Sequence, residues 1–341
     1  MNLTELNKVA TAMVAPGRGI LAADESTGTI KKRFDSIGVE STSDSRRDYR
    51  EMLFRSGEAM SKYISGVILY DETIRQTAKD GTPLVKLIDK AGSIPGIKVD
   101  KGTKPLPFCA GEVITEGLDG LRERLVEYRG LGAKFAKWRA VIDIGASMPS
   151  YSCIAANAHA LARYAALCQD ETIVPIVEPE VLMDGDHDID RCVAVTTWVL
   201  KETFQELFYN RVALEGMVLK PNMAVPGKKS AKRASVEEVA ENTARMLKEC
   251  VPAAVPGIAF LSGGQSDEEA TAHLDAINKL GDLPWRVTFS YGRALQASPQ
   301  KAWSGKAENV AAAQRAFNHR AMMNGLATLG QWKADLERKA A

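Results

Sequence analysis

The stretch GIAFLSGGQSDEEATAHLDAI, residues 257–277, passes from an apolar run through a Gly-Gly turn into Ser266-Asp267-Glu268-Glu269. A serine followed three positions on by a glutamate fits a capping box, in which each side chain satisfies the other's backbone N–H at a helix start. Leu274 and Ile277 then recur at helical spacing. The order is strand, loop, capped helix. Ser235-Val236-Glu237-Glu238, followed by Val239, Met246 and Leu247, starts a second such helix after the apolar run that ends at Lys220.

Outward from these two units, short apolar or β-branched runs recur at 19–24, 66–70, 96–100, 133–141, 173–182, 214–220, 257–261 and 285–290. Segments of helical periodicity separate most of the eight, so strands alternate with helices and the sheet is expected to be parallel. From the third run onward each unit takes about 40 residues, with no low-complexity linker and no break in composition. The expectation is an α/β fold, a (β/α)8 TIM barrel forming one domain over residues 1–341 with a short C-terminal helical tail. An open doubly wound sheet is the alternative. Eight units and the lack of a GxGxxG after the first run weigh against it.

The 341 residues are 45% hydrophobic and 26% charged, an ordinary globular composition with a large core. A net charge of +1 gives no electrostatic case for nucleic acid, which calls for a clustered basic face. The one basic cluster, Lys228-Lys229 with Lys232-Arg233, lies in a Gly/Ser loop and reads as a solvated turn. Five cysteines without CxxC spacing, an odd number, argue for a reducing compartment over a disulfide framework. The N-terminus lacks the long apolar core of a signal peptide, and no run approaches the ~20 apolar residues of a membrane span. A cytoplasmic protein without a membrane partner is expected.

In such barrels reactive groups stand at the C-terminal ends of strands. The first run ends in Asp24 and the third in Lys98-Val99-Asp100. Period-two alternation puts Phe135, Lys137 and Arg139 on one face of the fourth, and Val174, Ile176, Glu178 and Glu180 on one face of the fifth. In LEGMVLKPNM, residues 214–223, Met217-Val218-Leu219 delivers Lys220 into a proline. A lysine buried there loses hydration of its ammonium, which favours the free amine, a nucleophile toward carbonyls. The plainer alternative is a lysine snorkelling to water. Lys137 as a neighbouring cation would push further toward the amine, with two glutamates and one aspartate balancing the charge.

Two further features have the look of anion sites, although a Gly-Gly pair by itself more often marks a turn. Ser262-Gly263-Gly264 exposes backbone N–H groups before a capped helix, and Gly292-Arg293 follows one strand later with a guanidinium to complete a phosphate cradle. In DESTGTIKKR, residues 24–33, Ser26, Thr29 and Arg33 either cap a helix or, with Lys98, hold a second phosphate. Together they suggest a bisphosphorylated carbonyl substrate. Asp184-Gly185-Asp186-His187-Asp188 has the look of a hard-metal loop, but no paired-His spacing accompanies it, and no metal is expected.

GRGILAADESTGT, KFAKWR, IVPIVEPE, DGDHD, LKPNM, GIAFLSGGQS and FSYGRALQAS occur in this order, and the chain resembles class I fructose-1,6-bisphosphate aldolase from about residue 7 to about residue 324. The resemblance implies reversible cleavage of fructose 1,6-bisphosphate to dihydroxyacetone phosphate and glyceraldehyde 3-phosphate, without cofactor or metal. It makes Lys220 the Schiff-base lysine and Glu178 the acid/base that dehydrates the carbinolamine. Glu180 would shape the lysine network, Lys137 would balance its charge, and Asp24 would take the C4 hydroxyl proton. The C1 phosphate would lie on Ser262, Gly263, Gly292 and Arg293, and the C6 phosphate on Ser26, Thr29 and Lys98 with Arg33 and Arg139 nearby. Partners implied are small sugar phosphates and a homo-oligomer, a tetramer by resemblance. Many members end in a tyrosine that helps exchange the C3 proton; this sequence ends DLERKAA, so that role is not carried over.

Overall fold

The computed structural model describes residues 1–340; Ala341, the last residue of the expected domain, lies outside them. Eight parallel strands close into a barrel: β1 Gly19–Ala23, β2 Ile64–Leu69, β3 Ile94–Lys98, β4 Phe135–Ile142, β5 Val174–Val181, β6 Val218–Leu219, β7 Gly257–Phe260 and β8 Arg286–Tyr291. β1 closes the ring on β8 through Ile20↔Ser290 and Leu21↔Tyr291. The eight apolar runs are these strands, with ends displaced by a few residues. The sixth shrinks most. Leu214–Gly216 is a 3-10 turn, and only Val218–Leu219 pairs before Pro221, which has no N–H for a ladder. A two-stranded antiparallel ribbon, Thr103–Pro105 with Val113–Thr115, interrupts the long connection from β3 to β4 and was not foreseen.

The capping signals act as read. Ser266 and Glu269 form the reciprocal box at the start of helix Asp267–Leu280. Ser235 makes one half of it, accepting from Glu238 N at 3.1 Å at the start of Val236–Cys250.

The core has two shells. Ile20, Ala22, Ile68, Phe135, Val174, Ile176, Val218 and Ala259 fill the barrel interior, and Leu6, Ala10 and Met13 of helix Leu3–Met13 pack against them as a plug. Outward-facing residues such as Trp138, Val177, Leu219 and Phe260 join the helices in a second, larger cluster. Trp138 stacks on Tyr164 with ring centroids 5.6 Å apart. Among the described residues, no helix is long and apolar enough to cross a membrane.

Phe135 fits because its neighbouring strands offer glycine. A Cβ at Gly96 would overlap the Phe135 ring, and one at Gly66 would lie 3.0 Å from Phe135 Cε1. With the ring fully buried, it has nowhere to retreat. Gly96→Ala should therefore destabilise the fold by about 1–3 kcal/mol through overpacking, read as a lower urea midpoint. Adding Phe135→Leu should restore part of the loss; a Gly96→Ala protein as stable as the parent would mean that the interior is not tightly packed there.

Candidate active site

Three neighbouring barrel strands turn from apolar to charged along their inward faces. On β5, Val174 and Ile176 lie in the interior cluster, and Glu178 and Glu180 follow on the same face. On β4, Phe135 is succeeded by Lys137 and Arg139; after Val218 of β6 comes Lys220. The charged ends line one cavity of about 590 Å³ at the C-terminal ends of the strands. All fourteen residues expected at the site line it: Asp24, Ser26, Thr29, Arg33, Lys98, Lys137, Arg139, Glu178, Glu180, Lys220, Ser262, Gly263, Gly292 and Arg293.

Register places the inner charges. Lys98 is paired with Lys137 across β3 and β4, and Arg139 with Glu178 across β4 and β5. Lys220 donates its backbone N–H to Val177 O at 2.8 Å, which brings its side chain alongside Glu178. Lys220 Nζ is 3.1 Å from Glu178 Oε1, and Lys137 Nζ is 3.2 Å from Glu178 Oε2. Lys137 Nζ also lies 3.1 Å from Asp24 Oδ2 and 3.8 Å from Asp100 Oδ2. The expectation of one cation pressing on another is thereby corrected: a carboxylate stands between the two lysines.

Burial works against Lys137, Glu178 and Asp24, yet partners win. Burial would lower Lys137, but Asp24, Glu178 and Asp100 hold its ammonium above the ordinary lysine value. Burial would raise Glu178, but Lys137, Lys220 and Arg139 hold it below the usual carboxylate range. Asp24 is likewise penalised by burial and drawn down by Lys137, Lys220 and Lys98, to about 2.

Two residues, Glu180 and Lys228, stand otherwise than the sequence led one to expect. Glu180 touches neither lysine and pairs with Arg139, because it stands two residues beyond Glu178 along β5 and so nearer the mouth. Arg139 is thus held by a carboxylate, and Arg33 by Glu25. Lys228 does not simply face solvent: it lines the cavity and its Nζ is 2.7 Å from Asp184 Oδ1.

The Asp184–Asp188 loop is a strap. Met183 O accepts from Lys228 N at 2.7 Å, Gly185 O from Lys229 N at 3.0 Å and His187 O from Gly227 N at 2.8 Å, while Asp188 caps helix Ile189–Tyr209.

Sequence reasoning missed the supports. Glu25 is buried beside Asp24; its carboxylate accepts from Gln296 Nε2 at 2.9 Å and its carbonyl from the buried Arg50 at 2.8 Å. Gln296 also donates to Ala22 O at 2.7 Å, so a residue of the last barrel helix fixes the loop after β1. Asp100, noted as a strand end but given no role, accepts from Arg139 N at 3.3 Å and Gly102 N at 3.2 Å. No local signal marks Glu25, Arg50 or Gln296, because their partners are distant in sequence.

Two further parts of the cavity wall carry hydroxyls, a Gly-Gly turn and a guanidinium. Ser26 is the N-cap of helix Thr27–Asp35, accepting from Thr29 N at 3.4 Å, so it caps and faces the cavity at once. In the second part Gly263 has φ +56, a left-handed conformation suited to glycine, and its carbonyl accepts from Arg293. Ser290, also missed, presents a buried hydroxyl with no hydrogen-bond partner among the described residues. His273 Nδ1 lies 2.5 Å from Gln265 Oε1, and Gln265 Nε2 donates to Ser262 O at 3.1 Å, which braces the loop.

Seven cations and six carboxylates line the cavity, a formal +1. Arg293 alone of the seven cations has no carboxylate partner among the described residues. A buried lysine against a carboxylate, in a cavity that also holds the Ser26–Thr29 helix start and the Gly263 turn bound by Arg293, defines a (β/α)8 enzyme equipped for amine catalysis on a carbonyl compound.

Comparison with known proteins narrows the class. The family described as class-I fructose-bisphosphate aldolase matches residues 5–341. A Xanthomonas campestris protein named "Probable fructose-bisphosphate aldolase class 1" is 58% identical, over 98% of this chain and 100% of its own. "Fructose-bisphosphate aldolase 4, cytosolic" of Arabidopsis thaliana is 54% identical, over 98% of this chain and 85% of its own. A solved fructose-bisphosphate aldolase from Plasmodium falciparum, in complex with TRAP and a small-molecule inhibitor, superposes with a TM-score of 0.95 at 49% identity, covering 97% of this chain and 96% of that one. The chain belongs to the class I fructose-bisphosphate aldolase family.

A carboxylate whose folded pKa lies below its unfolded value stabilises the fold above the unfolded value, and this contribution disappears as pH falls through the folded one. For Asp24 the window runs from 3.8 down to about 2. Asp24→Asn should be less stable than the parent by about 2 kcal/mol at neutral pH. The two should converge near pH 2 in urea unfolding; a gap that persists there would assign the loss to packing instead of charge.

Proposed function

We propose that Lys220 carries the Schiff base through which this chain, as a member of its family, reversibly cleaves fructose 1,6-bisphosphate to dihydroxyacetone phosphate and glyceraldehyde 3-phosphate. The observation that carries the assignment is Lys220 itself, 3% exposed with its Nζ 3.1 Å from Glu178. An ammonium must shed a proton before it attacks a ketone, and Glu178 is the acceptor at hand. Glu178 then returns a proton to the departing hydroxyl as the carbinolamine loses water. The resulting iminium draws in the electron pair of the breaking C3–C4 bond, a role for which a neutral ketone is far poorer. Asp24, ionised throughout the neutral range, takes the proton from the C4 hydroxyl as that carbon becomes an aldehyde. Lys137 keeps both carboxylates charged. Glu180 acts one step out, by holding Arg139.

The phosphates divide between the two ends. Ser262, Gly263, Gly292 and Arg293 receive the C1 phosphate, and Ser26, Thr29 and Lys98 the C6 phosphate. Arg33 and Arg139 border the second group while paired to Glu25 and Glu180.

The molecule acts in the cytoplasm as a homo-oligomer, a tetramer by family resemblance. Five free cysteines and the cytosolic relative support the compartment. The oligomer is supported by helices Tyr151–Asp170 and Ile189–Tyr209, which expose Tyr151 stacked on Trp198, then Phe208 and Tyr209, at 61%, 38%, 73% and 67%.

Borohydride with dihydroxyacetone phosphate should inactivate the enzyme and leave one label per chain, on the peptide containing Lys220; a label on Lys137 or Lys98 would overturn the assignment. Lys220→Ala should lose about 10⁴-fold or more in turnover, and EDTA should leave the parent's turnover unchanged. Arg293→Ala should weaken substrate binding by about 1.5–3 kcal/mol, an effect that should largely vanish for a substrate without the C1 phosphate. Phe208→Glu should shift the sedimentation profile toward monomer if that face joins subunits.

A further inference from the structure

We infer that Lys228 is a phosphate-binding residue of this site, a second cation beside Arg293 at the Ser262-Gly263-Gly264 loop. The inference rests on the reading of that loop as the C1 phosphate site and adds a specificity-determining residue to it.

The side chain lies directly on the loop. A Cβ at Gly264 would overlap Cε and Nζ of Lys228, so the end of this side chain rests in the space that glycine leaves open on the loop. Its main chain is pinned in place: Lys228 N donates to Met183 O at 2.7 Å, with Gly227 and Lys229 tied to the Asp184–Asp188 strap on either side. Among the described residues the Gly264 N–H meets only Met183 Sδ, at 3.1 Å, a weak acceptor that leaves this donor poorly satisfied.

Of the paired cations of the cavity, Lys228 is also the easiest to reassign. Its partner Asp184 is 58% exposed, whereas the carboxylates paired to Lys98, Lys137, Lys220, Arg33 and Arg139 are 4–13% exposed. An exposed ion pair between flexible chains is weak, and a phosphate dianion offers charge-assisted hydrogen bonds in its place. Lys228 thus rests on Asp184 until a phosphate occupies the loop, and Asp184 competes with that phosphate.

The test is borohydride trapping over a range of dihydroxyacetone phosphate concentrations, with unphosphorylated dihydroxyacetone as the control. Lys228→Met should raise the half-saturating concentration of the phosphorylated ketone about tenfold, leave that of the control unchanged, and shift KM for fructose 1,6-bisphosphate more than kcat. Lys228→Arg should recover most of the loss. Asp184→Asn should lower the half-saturating concentration severalfold, and this gain should vanish in the double variant with Lys228→Met. No shift in Lys228→Met, or equal shifts for both ketones, would overturn the inference. Arg293→Ala separates the two levels: if it moves the phosphorylated ketone and Lys228→Met does not, only Lys228 loses its role. If neither moves it while Lys220 is still labelled, the loop is not the phosphate site.

Discussion

Glu178 holds the centre of the molecule together. One oxygen faces Lys220 at 3.1 Å and the other faces Lys137 at 3.2 Å, and all three side chains are almost wholly removed from water. A buried charge stripped of its partner is far costlier than a missing surface pair, so none of the three can be understood alone. Asp24 and Asp100 extend the chain of alternating charge outward from Lys137 to Lys98. The strand register around Glu178 is therefore a chemical requirement as well as a hydrogen-bonding one, since a slip of one residue would turn it out of the barrel.

The barrel meets that requirement by dividing its interior by height. Below, Phe135, Ile176 and Val218 fill the space, with the first helix as a plug. Above, the next inward residue on the same strands is Lys137, Glu178 or Lys220. The apolar level denies water access from beneath, which strengthens every electrostatic interaction above it. The helices complete the division from outside: Gln296 and Arg50 reach inward to hold the loop after β1 that carries Asp24.

Most of the cations are already in place for an anionic substrate, held by carboxylates that never leave the protein. Arg33, Lys98 and Arg139 each carry such a partner, and the cavity as a whole is close to neutral. Fixed pairs of this kind limit the rearrangement needed on binding, which is the physical content of preorganisation. They also grade the cations by commitment: Lys137 is buried among three carboxylates, and Arg293 has, among the described residues, only a backbone carbonyl.

The sequence by itself determined the barrel and the residues of its rim. Alternation along β4 and β5 put Lys137 with Arg139, and Glu178 with Glu180, on faces that the structure turns inward, and the Ser266 box marked a helix start correctly. These are short-range signals, set by side-chain period and by bonds within one turn. What only the tertiary structure decided is who pairs with whom. That Glu180 belongs to Arg139, that a carboxylate parts the two lysines, that Glu25 is gripped from residues 50 and 296, and that Lys228 leans on Gly264 all depend on closure of the ring. Such contacts join positions far apart in the chain, whose distances are set by register and packing and leave no periodic trace in the sequence.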